Sequence, residues 1–385
     1  MNATVLMPGL LHIGGGCRER LLETLSQLGL HRPLLVTDPF LAAQGLHEPL
    51  LRALGEAQVP CGVFADCVPD PTTDSVGAGL AVCAEGDYDC LVALGGGSAI
   101  DTAKAIAVLA RHGGEMRDYR VPASVPPGLP VIAVPTTAGT GSEVTRAAVI
   151  TDSRDGEKML CMGPGLVPAA ALVDYELSLS MPPRLTADTG LDALCHALEA
   201  YVSRKANPFT DSLALAALTA IGRYLETAWR EPGNCAAREA MMLAATQAGI
   251  AFANASVTLI HGMSRPLGAH FHVPHGLGNA MLLAEVTAWS VPAAPGRYAD
   301  CARALGLAAP AECDERAVER LVSGLRALTV RLEVPGPEAW GIAEADWREA
   351  LPLMAEQALA SGSPANNPRL ASAAEIEALY RRLWA

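Results

Sequence analysis

Residues 261–276 read HGMSRPLGAHFHVPHG and hold four of the chain's nine histidines. Imidazole is the commonest side-chain metal ligand and the usual proton carrier near neutral pH, so this crowding points to a metal centre, a proton relay, or both. A second chemical pair stands upstream in TGLDALCHALEAY, where Asp192 and His196 are four residues apart. On a helix that spacing puts both side chains on one face at neighbouring heights, able to grip one ion. Read by itself, the segment also permits a plainer account, in which Thr189-x-x-Asp192 resembles a capping box and His196 is a half-buried helix histidine. The histidine-rich stretch shifts the balance. His261 is expected to end a long apolar helix and Pro274-His275-Gly276 to start another, so the two imidazoles can converge from separate helices. Asp192, His196, His261 and His275 then make a four-ligand divalent site with room for a substrate oxygen.

The first half carries a different chemistry. YDCLVALGGGSAIDTAKAIAVLA reads as strand, glycine turn and helix. Gly95, Gly96 and Gly97 let the backbone approach a phosphate, and the helix opening near Ser98 offers free N–H groups and a positive dipole end. The spacing is not the dinucleotide fingerprint G-x-G-x-x-G, and a lone glycine turn also occurs without ligands. A second loop, PTTAGTGSEVTR at 135–146, follows the next strand and could meet the other end of the same nucleotide; its plainer reading is a strand-to-strand connection. Asp38 closes the strand LLVTD. There it could accept both ribose hydroxyls and repel a 2′-phosphate, favouring NAD over NADP, or simply serve the turn before Pro39. The chain has three lysines, at 104, 158 and 205, against 25 arginines. Lys104 and Lys158 fall in or beside these loops, where a compact ammonium has uses that a planar fork lacks.

These groups need elements to hold them. Up to about residue 180, short apolar runs at 32–38, 89–95, 130–135 and 170–174 alternate with helical stretches, the pattern of buried parallel strands. After Met181-Pro182-Pro183 the stretches 186–203, 210–230, 236–260 and 275–289 show helical spacing and no convincing strand. The expectation is an α/β domain over 1–180 and an all-α domain over 181–385, packed closely with a ligand cleft between them. Residues 240–260 carry no charge over a length that could span a bilayer, but Thr246, Gln247, Asn254, Ser256 and Thr258 favour a buried bundle helix.

Composition narrows the function classes. The net charge of −13 opposes binding to nucleic acid or anionic membranes, and no basic cluster offsets it. Aromatic residues make up only 4% of the chain, which argues against a stacking surface for bases. The ten cysteines form no Cys-x-x-Cys pair, so neither a zinc knuckle nor a redox motif is indicated and a reducing cytoplasm is expected. The N-terminus lacks the basic and uninterrupted apolar regions of a signal peptide.

Taken together, GGGSAIDTAK, PTTAGTGSEVT, the D-x-x-x-H at 192–196, the H-G-M-S-x-P-L-G at 261 and the P-H-G at 274–276 resemble the iron-dependent (group III) alcohol dehydrogenases, a family that includes lactaldehyde reductase and 1,3-propanediol dehydrogenase. The resemblance covers nearly the whole chain. It implies a Rossmann-like NAD(P) domain followed by a helical domain, the dehydroquinate synthase-like architecture, with Fe²⁺ at Asp192, His196, His261 and His275; some relatives use Zn²⁺. The matching cofactor positions are Asp38, Gly95 to Ser98, Asp101, Thr136, Thr137, Ser142 and Lys158. One position departs from the family pattern: many members read H-x-x-x-H from the first histidine of the cluster, and this chain has Arg265. An arginine exchanges no proton at neutral pH, so any relay falls to His272, with His270 a weaker candidate. Arg265 itself suits an anionic group on the substrate or the backbone carbonyls near Pro266.

The expected function is a metal-dependent, NAD-linked alcohol dehydrogenase or aldehyde reductase acting on a small alcohol, with or without an anionic tail, in a cytoplasmic homo-oligomer. The rivals are a dehydroquinate-synthase-like lyase, which would need several cationic groups for a highly anionic phosphorylated substrate where the second half shows no such lysine set, and a non-catalytic nucleotide-binding protein.

Overall fold

Pro33–Val36, Cys90–Gly95, Val131–Pro135 and Ala170–Val173 are buried along their whole length, as strands covered on both faces must be. The computed structural model describes residues 3–384 and separates into two units, one of Val5–Ser180 and one that joins the residues through Thr4 to those from Met181 onward. The first unit holds strands β1 (Leu10–Ile13), β2 (Pro33–Val36), β3 (Gly62–Phe64), β4 (Cys90–Gly95), β5 (Val131–Pro135), β6 (Ala147–Thr151), β7 (Lys158–Met162) and β8 (Ala170–Val173). Its helices are α1 (Leu21–Leu28), α2 (Pro39–Ala43), α3 (Glu48–Glu56), α4 (Thr73–Glu85) and α5 (Gly97–His112).

Six strands form one parallel sheet in the order β1-β8-β5-β4-β2-β3, and β6 and β7 form a separate antiparallel ribbon. Side chains alternate between the two faces. Leu34, Val36, Leu91 and Ala93 join Val76 of α4 with Ile100 and Ile106 of α5 in one core. Leu35, Val92, Leu94 and Ile132 join Leu21 and Leu25 of α1 with Leu50 and Leu54 of α3 in the other. From β2 the chain passes outward to β3, then returns to lay β4 on the other side of β2. Loops leaving β2 and β4 therefore diverge, and this is the crevice where open α/β sheets take ligands.

The second unit contains α6 (Pro183–Val202), α7 (Pro208–Arg230), α8 (Cys235–Ala255), α9 (Leu259–Phe271), α10 (His275–Ser290), α11 (Pro295–Ala304), α12 (Asp314–Arg331), α13 (Glu344–Ala360) and α14 (Ala373–Leu383), with no strand among the described residues. Two sequence expectations are corrected here. The stretch 236–260 is not one helix, because α8 stops at Ala255, Ser256 takes a left-handed φ of 75°, and α9 restarts at a bend of 103°. The break is held by long-range bonds: Ser203 Oγ donates to the Ala255 carbonyl at 2.6 Å, and Asn366 Nδ2 donates to Ser256 Oγ at 2.9 Å. His261 accordingly sits in the first turn of a new helix rather than at the end of an old one. Nor is Thr189-x-x-Asp192 a cap, for α6 begins at Pro183 and Thr189 Oγ1 donates to the Leu185 carbonyl inside the helix. No single helix among the described residues is long and apolar enough to cross a membrane; α8 and α9 satisfy length and composition only as a bent pair.

Candidate metal centre and nucleotide site

α6 presents Asp192 and His196 on one face, α9 brings His261 in its first turn, and α10 brings His275 as its first residue. One ligand atom from each of the four lies within 4.8 Å of all the others, and the first three residues are buried while His275 is exposed. The Nε2 atoms of His196, His261 and His275 stand 3.8, 3.6 and 3.7 Å from Asp192 Oδ1. A tetrahedral ion with bonds of about 2.0–2.2 Å separates its ligands by roughly 3.3–3.6 Å, so this donor set fits a divalent cation with little adjustment. Asn279, one turn past His275, makes the convergence visible. Its Nδ2 donates to Asp192 Oδ1 at 2.7 Å and lies 3.1 and 3.3 Å from Nε2 of His261 and His275. Two N–H bonds facing three acceptors mean that the lone pairs point to one place.

The electrostatics suit a cation. Burial alone would raise the Asp192 carboxyl, but the facing His196, His275 and His261 outweigh it and hold it well below the usual carboxylate range. Burial pushes His196 down to about 3 against the pull of Asp192, which leaves a neutral imidazole, the form that ligates. Glu199 completes the polar face of α6, three residues past His196. Wholly buried, it faces Nδ1 of His261, accepts from Thr258 Oγ1 at 2.7 Å and accepts from the Ile260 amide at 2.7 Å. Burial raises the Glu199 carboxyl and lowers the His261 imidazole, but their mutual attraction reverses both shifts. Neither Glu199 nor Asn279 stood out in sequence. The available signal was spacing, since Glu199 extends the 192–196 face in the largely apolar second half of α6 and Asn279 repeats the i, i+4 step from His275.

Arg265 lies in the middle of α9, and His270 and His272 lie at its far end. His272 ends that helix with a left-handed φ of 53° and is exposed, and His270 Nε2 pairs with Gln357 Oε1 at 2.8 Å. Arg265 is half-buried and donates from Nη1 to the Ser361 carbonyl at 3.4 Å. Burial lowers its pKa against the pull of Glu199.

In the first unit the predicted positions gather at the carboxyl ends of β2, β4 and β5. Asp38 caps α2, its Oδ1 accepting from the Leu41 amide at 2.9 Å, while Oδ2 points to within 3.7 Å of where a Gly95 side chain would begin. The turn reading of this aspartate is met by Oδ1, and Oδ2 is turned toward the glycine turn. The glycines are needed for close approach: a Cβ on Gly95 would meet Ala99 at 2.6 Å, and one on Gly97 would meet Thr140 at 3.0 Å. Gly96, Gly97 and Ser98 open α5, whose N-terminus has no side-chain cap. The Thr136 amide donates to the Gly95 carbonyl at 3.0 Å, and Thr137 Oγ1 is buried without a hydrogen-bond partner among the described residues. Such an orphan hydroxyl beside a glycine turn fits a phosphate oxygen.

Asp101, Ser142 and Lys158 are placed differently. Ser142 Oγ donates to Asp101 Oδ1 at 2.5 Å, the Val149 amide donates to Asp101 Oδ2 at 2.9 Å, and buried Lys104 donates to Ser142 Oγ, to both oxygens of Thr145 and to the Ala147 carbonyl. This network ties α5 to the second loop. Lys158, at the start of β7, pairs with Asp70 at 3.0 Å.

Comparison with known proteins agrees with this geometry. Residues 8–175 match the family model "Iron-containing alcohol dehydrogenase", and residues 186–384 match "Fe-containing alcohol dehydrogenase family, C-terminal". The NAD-dependent methanol dehydrogenase of Bacillus methanolicus is 37% identical, with 96% of each chain covered. The 1,3-propanediol dehydrogenase of Klebsiella pneumoniae is 36% identical over 98% of each. The crystal structure of a 1,3-propanediol oxidoreductase superposes over 100% of both chains with a TM-score of 0.95 at 34% identity. These dehydrogenases share the dehydroquinate synthase-like fold and give no support to a lyase or a non-catalytic nucleotide binder. The chain belongs to the iron-containing alcohol dehydrogenase family and is an oxidoreductase.

Proposed function

We propose that the chain interconverts a small primary alcohol and its aldehyde, with NAD held by residues 1–180 and a divalent ion, Fe²⁺ or Zn²⁺, held by Asp192, His196, His261 and His275. The observation that carries this is the convergence of those four ligand atoms within 4.8 Å. When bound, the ion supplies Lewis acidity that lowers the pKa of an alcohol and polarises an aldehyde, and the nicotinamide exchanges the hydride. The chain's own residues do the rest. Gly95 to Gly97, Ser98, Thr136 and Thr137 cradle the pyrophosphate, and Asp38 Oδ2 turns away a 2′-phosphate. Asp101 and Ser142 hold the two loops in register, and Lys158 flanks them from β7. Arg265 stays cationic and moves no proton, so proton traffic falls to the exposed ring of His272. The names of the relatives, which act on methanol and 1,3-propanediol, support a short-chain substrate.

An anionic group at the far end of the substrate is the second reading. Arg265 favours it, since its one hydrogen bond among the described residues is the 3.4 Å contact with Ser361, which leaves donors free for a bidentate partner. Cytoplasmic residence and a dimer or larger homo-oligomer belong to the same proposal; ten free cysteines agree with a reducing compartment.

The test is a panel of C1 to C5 alcohols and 1,3-propanediol, followed by NADH formation, with protein stripped of metal and reloaded anaerobically with Fe²⁺ or with Zn²⁺. Turnover is expected only after reloading. His261→Ala and His275→Ala should abolish it while NADH binding persists, and full activity in either variant would overturn the reading.

A further inference from the structure

Glu199 is a completely buried carboxylate that the ligand set does not use. Each of its oxygens is committed. Oε1 accepts from Thr258 Oγ1 and from the Ile260 amide, both at 2.7 Å, and so satisfies two donors at the start of α9. Oε2 faces His261 Nδ1. A neutral imidazole carries one N–H, and a carboxylate only accepts, so this contact places the proton on Nδ1 and leaves the Nε2 lone pair free. That lone pair is the one directed at the cluster, as the approach of Asn279 Nδ2 to His261 Nε2 at 3.1 Å records. His196 has no such partner: its Nδ1 is buried without a hydrogen bond among the described residues, and its ring stacks on Phe252 with centroids 4.1 Å apart. The structure thus treats two ligand histidines unequally.

We infer that Glu199 is a positioning residue, which fixes His261 in the Nδ1–H tautomer and aims it at the ion while anchoring the first turn of α9 to α6. The inference rests on the metal-centre reading above. It makes Glu199→Gln more damaging than its near-identical shape suggests. A glutamine has one acceptor and one donor end. With its oxygen kept by Thr258 and Ile260, its amide N–H points at His261 Nδ1, which must then accept, and the ring proton moves to Nε2 where it blocks ligation. Loss of such an outer hydrogen bond ordinarily weakens metal binding by about 10–100-fold.

The experiment titrates Zn²⁺ and Co²⁺ into metal-free wild type, Glu199→Gln, Glu199→Asp and His261→Ala against a competing chelator, with NADH binding and circular dichroism as checks on folding. Glu199→Gln should bind about 10–100-fold more weakly than wild type, and Glu199→Asp, which still only accepts, should recover part of the loss. In the metal-free proteins, at a pH well above the value of about 9 to which, against burial, Glu199 and Asp192 raise the His261 imidazole, so that the ring is neutral, ¹⁵N shifts of labelled histidine should show Nδ1–H at His261 in wild type and Nε2–H in Glu199→Gln, a readout that depends on neither turnover nor metal. Unchanged affinity in Glu199→Gln, or an Nδ1–H tautomer in that variant, would overturn the role of Glu199. Unchanged affinity in His261→Ala would instead overturn the metal centre itself.

Discussion

The side-chain amide of Asn279 donates to Asp192 across 2.7 Å, joining α10 to α6 at the point where three imidazoles also converge. Changing that donor to an acceptor sets two carboxylates against each other in a buried space. Asn279→Asp should cost the metal-free protein about 2–4 kcal/mol of stability, and adding Zn²⁺ should restore most of it, because a cation is what two facing carboxylates require. Thermal unfolding with EDTA and with excess Zn²⁺ measures both halves; a variant equally stable with and without metal would contradict the placement of the ion.

Asp38 uses one oxygen to cap α2 and directs the other toward Gly95. Removing the side chain confounds these roles, since losing an N-cap costs about 1 kcal/mol. Asp38→Asn keeps the cap and removes the charge. It should raise the NADP to NAD ratio of kcat/KM by about tenfold or more, a shift of about 1.4 kcal/mol, with little change in Tm. Equal use of both cofactors by the unmodified protein would refute the role given to Asp38.

Lys104 is buried among four acceptors, and burial pushes its ammonium down to about 8 against the pull of Asp101 and Glu143. The folded value lies below the unfolded one of 10.5, so between them the unfolded chain binds more protons and stability from this group rises with pH. Lys104→Met strands the carbonyls of Thr145 and Ala147 and should cost about 2–4 kcal/mol near neutrality. The gap between wild type and Lys104→Met in chemical unfolding should widen from pH 8 to pH 10.5 by up to roughly 3 kcal/mol. A gap that stays constant or narrows would show that the ammonium keeps an ordinary pKa.

Arg265 stands one turn beyond His261 with a single long bond to Ser361. If its guanidinium receives an anionic tail, a short semialdehyde should have a higher kcat/KM than a neutral aldehyde of equal length, and Arg265→His should reverse the order mainly through KM for the acid. The decisive quantity is the ratio for that matched pair in both proteins. An unchanged ratio assigns Arg265 to the backbone of the Ser361 turn.

What the sequence determined is what local pattern encodes. The runs at β2, β4, β5 and β8 are apolar throughout, so a buried parallel sheet was legible in them; a histidine interrupts β1 (LLHI), and β3 (GVF) has three residues, so neither declared itself. The i, i+4 pair of Asp192 and His196 and the proline before His275 likewise placed three candidate ligands on helices before any fold was known. Tertiary structure decided the rest. Hydrophobicity cannot distinguish one long helix from two, and the turn at Ser256 depends on bonds from Ser203 and Asn366, which are distant in sequence. Glu199 takes its meaning only from the end of α9 folding over it, and Asn279 from its reach to Asp192. Spacing tells which side chains share a face, but the direction of a lone pair depends on what lies opposite, and that is settled only when separate helices meet.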